Sequence, residues 1–346
     1  MSHKFLYGTR RPGPIWTLTN NDSRLPPAVS RTRGLIAPAA FPALILDSGE
    51  QAWRRTLEFF AACIRNRNTR TAYARAVFRF CRWCERRGVS TLQQVTPVIV
   101  AAYIEELTRT HAAPSTKQSL AAIRRLFDFL VTGQVVPVNP AASVRGPRHV
   151  VKKGKTPVLA TDEARRLLDA IDPTTIGGLR DRALIAVMIY SFARVSATIG
   201  MNVEDCFVQR HRLWFRLHEK GGKRHDVPAH RQAEEYVQAY IQAAGIAGEA
   251  KGPLFRTIDC HKQLSDRRLQ RREVLAMIKR RARAAGVSPT TCCHTFRATG
   301  ITAYLASGGT LEHAQQIADH ESPRTTKLYD RTGDEVSVSE IDRIAL

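Results

Sequence analysis

Apolar residues recur at helical spacing over much of the chain and at strict alternation in one short stretch. From Thr69 to about Arg87, residues Tyr73, Val77, Phe80, Cys81 and Cys84 fall at i, i+4, i+7, i+8 and i+11, which predicts one buried helix face. Arg75, Arg79, Arg82 and Arg86 fall at i, i+4, i+7 and i+11 and give the same helix a second, purely positive stripe. Further helices are expected from Pro97 to Thr110 and from just after Pro114. There Ser115 is the candidate N-cap, and Leu120, Ile123, Phe127 and Leu130 form the apolar face. Residues 50–132 thus read as four helices.

Proline and glycine divide the chain. Six of its 17 prolines lie before residue 48, at Pro12, Pro14, Pro26, Pro27, Pro38 and Pro42, and no period survives them. Residues 1–48 are therefore expected to be an arm, and 49–145 an all-helical domain. Pro137, Pro140, Gly146, Pro147 and the lysines at 152, 153 and 155 break the pattern again, so 146–158 reads as a linker. The remainder, 159–346, is mixed. A helix opens at Thr161 and a very apolar one spans about Gly178 to Ser191. Leu213, Phe215 and Leu217 alternate with Arg212, Trp214, Arg216 and His218 as a strand. Gly221 and Gly222 supply a turn, and Val227 and Pro228 lie on the returning strand. Helices follow near 230–245, 268–285, 294–307, 310–318, 323–329 and 338–345. The expected class is mainly α with a small β-sheet.

Charge narrows the partner. The 346 residues hold 53 Lys and Arg against 31 Asp and Glu, a formal net charge of +22. Residues 51–150 carry 16 basic and 5 acidic side chains, the densest share. With 43% hydrophobic residues a core is affordable, so this is a globular binder of a polyanion, nucleic acid before membrane. The longest apolar run, Ala183 to Ala193, is broken by Ser191 and falls short of the ~18 residues a spanning helix needs. No signal peptide is read at the N-terminus, and seven cysteines without a dense framework fit a reducing cytoplasm.

Several groups in the second half carry chemistry. Arg194 follows the apolar run and has no acid within nine residues; a guanidinium there needs a partner or an anion. Lys220 sits at the Gly-rich hairpin tip and can donate a proton. His294 and Arg297 share one helix face, able to touch one phosphate. His320 and Tyr329 follow, and Tyr329, beside a polar stretch, is expected to be accessible.

The order Arg194, Lys220, His294, Arg297, His320, Tyr329 resembles the tyrosine recombinases, the phage integrase family. The resemblance covers almost everything after the arm. Asn68–Tyr73 through Pro140 looks like the family's helical core-binding (SAM-like) domain, and Thr161 onward like its mixed α+β catalytic domain. It implies a site-specific recombinase that cuts and rejoins double-stranded DNA at recombination sites through a 3′-phosphotyrosyl link. Those six residues would be catalytic and Tyr329 the nucleophile. It also implies a homotetramer on two DNA sites, with no cofactor and no metal, in the cytoplasm with the nucleoid, and leaves room for accessory proteins. The local frame departs at four places. Ala193 stands for the usual Gly, Ala197 for the acid three residues after the first Arg, Thr295 for an Asp, and Asp319 for a Gly. The rivals are a type IB topoisomerase-like enzyme and a DNA-binding regulator without catalysis.

The expected DNA contacts are Arg70, Arg75, Arg79, Arg82, Arg86, Lys117, Arg124, Lys152, Lys153, Lys223, Arg267, Arg268, Arg271 and Arg272. The last four are placed on or beside a helix whose buried side is Val274, Leu275 and Ile278. Val336 to Leu346, with Ile341 and Ile344, is a candidate contact with a neighbouring protomer. Cys81 and Cys84 form a C-x-x-C in mid-helix and read as core, as do Cys292 and Cys293 beside His294.

Overall fold

The computed structural model describes residues 41–150, 154–219 and 222–330. The earlier part of the arm, Lys152, Lys153, Lys220 and the segment after Asp330 lie outside the described residues. The chain divides into two compact units between Val150 and Val151.

The first unit is helical: α1 (Ala43–Leu46), α2 (Glu50–Glu58), which runs on into a π-helical turn at Phe59–Cys63, α3 (Arg67–Glu85), α4 (Pro97–Thr110) and α5 (Ala113–Thr132). Asn66 starts α3 because its side chain accepts from the N–H groups of Asn68 and Thr69, at 3.0 and 3.2 Å. Val77, Phe80, Cys81 and Cys84 are buried as the spacing predicts, while Tyr73 is half-buried. Burial pushes the Cys84 thiol up to about 12 and raises that of Cys81 as well, so both stay protonated core thiols.

Two boundaries need correction here. The helical core begins at Phe41, not after residue 48. Phe41, Leu44 and Ile45 are buried, Phe41 packs edge-on against Phe78 at 5.6 Å, and the Leu44 N–H donates to Glu85 Oε1 at 2.9 Å. Pro42 precedes this helix as its N-cap, so a proline that looked like a breaker is a starter. Likewise Ser115 does not cap α5. The helix starts two residues earlier and absorbs Pro114 in its first turn, where a missing N–H costs nothing.

The second unit is built around α7 (Ile176–Tyr190), which is preceded by α6 (Thr161–Asp169) and followed by α8 (Val195–Gly200). A three-stranded antiparallel sheet comes next, with β1 (Cys206–Gln209), β2 (Arg212–His218) and β3 (Arg224–Pro228) in that order. Then come α9 (Arg231–Ala244), the short hairpin β4 (Arg256–Ile258) and β5 (Leu264–Arg268), α10 (Arg271–Ala284), α11 (Cys293–Ala306), α12 (Leu311–Ala318) and α13 (Pro323–Lys327). Ten residues of α7 are buried, with α9 and α11 packed on it. Gly300 permits the α11 crossing: a Cβ there would stand 1.9 Å from the Ile189 carbonyl oxygen. The expected alternation holds, since Leu213, Phe215 and Leu217 are buried and Phe215 pairs with Val227.

β1 and the β4–β5 hairpin were not expected, being three to five residues long and partly charged. The hairpin moves Arg267 and Arg268 off the α10 face where they were placed. Leu275, expected to be buried, is 40% exposed. Among the described residues no helix is long and apolar enough to cross a membrane.

Candidate active site

Helix α11 delivers the first two groups. Thr295 takes the helix N-terminus, its Oγ1 accepting from the Cys292 N–H at 3.1 Å, and so does the capping work an Asp there would do. Two residues on, Arg297 is 1% exposed, the largest fully buried side chain described. Its Nη1 donates to the Phe192 carbonyl and its Nη2 to that of Ala318 at 2.6 Å, while the buried Nε–H has no hydrogen-bond partner. Phe192 adopts φ +51°, a conformation unfavourable for a bulky side chain, and Arg297 holds its carbonyl there.

His294 lies one turn before Arg297 and keeps one edge open to solvent. Its Nε2 is 2.7 Å from the Tyr329 hydroxyl. Tyr329 follows α13 and, contrary to expectation, is only 7% exposed. Its ring belongs to a small apolar cluster with Phe192, Ala298 and Ile301 and stacks on His320 at 5.6 Å with 9° between planes. Thr302 Oγ1 donates to the Tyr329 carbonyl at 3.0 Å. The ring is therefore fixed, and its hydroxyl end meets His294.

His320 follows Asp319, which ends α12 in the left-handed region at φ +47°. The His320 Nδ1 pairs with Thr326 Oγ1 at 2.9 Å. Burial, then Arg297 and Arg194, bring its pKa down to about 3, so the ring is neutral at working pH. In the tautomer whose Nδ1 accepts from Thr326, the ring proton sits on Nε2 and is available to an acceptor. The same causes in the same order lower His294, and burial and Arg194 lower Arg297 to about 10. Arg194 thus disfavours the charged form of Arg297, and both arginines disfavour charge on the two histidines, an electrostatic balance that an anion would relieve.

Arg194 caps the N-terminus of α8 and is paired after all. Its Nη1 lies 2.6 Å from Glu219 Oε2, with the glutamate side chain 3% exposed and the arginine 40%. This acid was missed because it lies 25 residues away in sequence. Across the hairpin, Lys223 pairs with Asp319, the residue before His320.

Five of the six expected residues therefore converge through hydrogen bonds and mutual electrostatics. The sixth, Lys220, is outside the described residues. The phage integrase family model matches residues 157–335, and the family's N-terminal SAM-like domain matches residues 57–134. The chain belongs to the phage integrase family. It is a site-specific tyrosine recombinase, an enzyme that cleaves and rejoins DNA.

Tyrosine recombinase XerD of Corynebacterium glutamicum is 30% identical over 277 residues, covering 76% of this chain and 86% of that protein. XerD of Bifidobacterium longum is 29% identical over 281 residues, covering 78% and 88%. In fold, the chain is similar to XerH recombinase bound to palindromic difH substrate in a post-cleavage complex, with TM-score 0.64, 14% identity and 86% and 89% coverage. It is also similar to a lambda integrase (75–356) dimer bound to a COC′ core site, with TM-score 0.62, 17% identity and 83% and 98% coverage.

The basic residues of this recombinase sort into two groups. Arg75, Arg79, Arg82 and Arg86 are all exposed and line a groove of about 490 Å³ on α3 with Ala74 and Phe78. Lys117, Arg271 and Arg272 are exposed too, whereas Lys223 and Arg267 are exposed but paired with Asp319 and Glu273. Three others are only partly exposed and hold backbone with part of the guanidinium. Arg70 donates twice to the Ile64 carbonyl, at 3.0 and 2.9 Å. Arg124 holds the Ala141 and Val144 carbonyls. Arg268 holds those of Ile199 and Met201, each at 2.7 Å. In these three the engaged N–H groups are spent on backbone, and only the remaining ones are left for a phosphate.

Proposed function

We propose that Tyr329 is the nucleophile of strand cleavage and that His294 receives its proton. The 2.7 Å approach of the Tyr329 hydroxyl to His294 Nε2 carries this reading. The phenolic oxygen bonds to phosphorus, the bond to the 5′-oxygen breaks, and a 3′-phosphotyrosyl link keeps the bond energy for rejoining. Arg194, through the N–H groups not paired with Glu219, and Arg297, through those not spent on the Phe192 and Ala318 carbonyls, hold the non-bridging oxygens and offset the charge that builds there. His320 donates to the same phosphate from Nε2. Lys220 protonates the departing 5′-oxygen, a role assigned on the family resemblance. The reverse attack by the 5′-hydroxyl of a second duplex completes the exchange.

In this reading residues 41–145 grip the duplex and 159–346 cut it, after an arm and across the linker 146–158. The protein works in the cytoplasm with the nucleoid, as a homotetramer on two double-stranded DNA sites. The dimeric DNA complex solved for lambda integrase supports multimeric action. The test is a plasmid carrying two copies of the site, incubated in chelator. Exchange of flanking markers is expected; relaxation of supercoils without exchange would favour a topoisomerase, and binding without strand breakage a regulator.

Two further outcomes are expected. The pKa of His294 lies below the ordinary 6.5, so its neutral, proton-accepting form persists at lower pH. Single-turnover cleavage should then fall on the acid side only below pH 6.5, and His294→Asn should remove that limb. A limb centred above 6.5, or one surviving in the variant, contradicts the role. Separately, replacing Arg75, Arg79, Arg82 and Arg86 by Ala should reduce the slope of log affinity against log salt by about 0.9 for each phosphate that is no longer neutralised. Replacing Arg70 or Arg124 should lower thermal stability and leave that slope unchanged.

A further inference from the structure

We infer that Glu219 is the positioning residue for Arg194 and supplies from the hairpin the carboxylate that this chain lacks at position 197. The inference rests on the recombinase reading above. Ala197 is 1% exposed, and nothing at that position can pair with Arg194. Glu219 is the ion-pair partner instead, at 2.6 Å, and its carboxylate is buried while the guanidinium stays partly open. A buried carboxylate is costly unless paired, so this ion pair fixes both partners far more firmly than one at the surface would. It occupies Nη1 and leaves the other N–H groups of Arg194 to face a phosphate.

The placement follows from strand parity. Leu213, Phe215 and Leu217 face the core, and Glu219 continues that series one step past the end of β2. Its N–H donates to the Lys223 carbonyl at 2.8 Å, and Lys223 in turn pairs with Asp319. One side of the hairpin base is thus tied to Arg194 and the other to the residue preceding His320. Glu219 also favours the charged form of Arg297, offsetting part of the repulsion between the two arginines. A carboxylate here does two things: it orients one guanidinium and it makes two of them tolerable in one site.

The test uses the full chain and a library of nicked suicide duplexes with a randomised central segment. Sequences trapped covalently by the wild type become the substrate for all variants. Glu219→Gln is expected to slow single-turnover adduct formation by about 100-fold, the size of effect a misplaced catalytic group produces. Unchanged DNA affinity is expected. Glu219→Asp, which keeps the charge on a shorter stem, should fall between the two and serves if the Gln variant folds poorly.

The penalty should vanish in an Arg194→Ala background. It should also shrink on a methylphosphonate substrate, where a neutral methyl replaces the oxygen that needs a guanidinium. A purely structural defect would slow both substrates and both backgrounds alike. Equal cleavage by wild type and Glu219→Gln, or an equal penalty in every arm, overturns the inference. Absence of any wild-type adduct overturns the recombinase mechanism itself, and the inference with it.

Discussion

Tyr329→Phe should bind its DNA site as the wild type does and form no covalent adduct with it. The substitution removes one oxygen and nothing else. The ring keeps its stack on His320 and its place beside Phe192, Ala298 and Ile301, so the cluster that holds the segment survives. Removing the hydrogen bond to His294 costs about 1 kcal/mol of stability, small beside the total for a unit of this size. Among the described residues, Thr302 Oγ1 donates to the Tyr329 carbonyl and Thr326 Oγ1 is engaged by His320, so neither hydroxyl is free to replace it. The loss of cleavage should therefore be complete in a trapping assay, with filter binding unchanged. An adduct formed by the variant would move the nucleophile elsewhere.

Arg297→Lys should fail twice, in stability and in chemistry, whereas Arg194→Lys should fail in chemistry alone. Arg297 bridges the carbonyls of Phe192 and Ala318 from a position 1% exposed. One ammonium cannot reproduce that planar fork, so at least one buried carbonyl loses its donor, at a cost of about 1–3 kcal/mol. The Phe192 backbone, held at φ +51°, loses its restraint in the same stroke. Cleavage should drop about 100- to 1,000-fold, the usual effect of removing one preorganised donor from a developing oxyanion. Arg194 is 40% exposed along its side chain, and a lysine there leaves no buried carbonyl orphaned and keeps a cation for the buried Glu219 carboxylate. Thermal unfolding run beside single-turnover cleavage separates the two variants. Equal melting of Arg297→Lys and wild type would contradict the bridging role.

Much of the second unit could be read from residue spacing because its signals were local. The alternation of Leu213, Phe215 and Leu217 fixed the inward face of β2, and the three-residue step from His294 to Arg297 placed both on one face of α11. Glu219 was within reach of the same logic, since counting the alternation one step further points it inward. It went unseen because a partner for Arg194 was sought along the chain, whereas the sheet brings it from 25 residues away. Tyr329 shows the opposite limit. Polar neighbours suggested exposure, but α13 turns the ring into an apolar cluster assembled from α11 and the Phe192 turn, which no local pattern reveals. The proline-rich start misled in the same way, since Pro42 caps a helix whose Leu44 and Ile45 are fully buried. Charge counts could not tell Arg75 from Arg70. Only the structure shows that one guanidinium is open and the other is already bound to Ile64.

The central claim is that one named phenol takes the DNA. Trapping wild-type protein on a nicked suicide duplex, digesting it with protease and sequencing the DNA-linked peptide tests this most directly. The account predicts a single linked peptide, modified at Tyr329, joined to a 3′-phosphate and formed in the presence of chelator. Attachment at another residue, or through a 5′-phosphate, would contradict it.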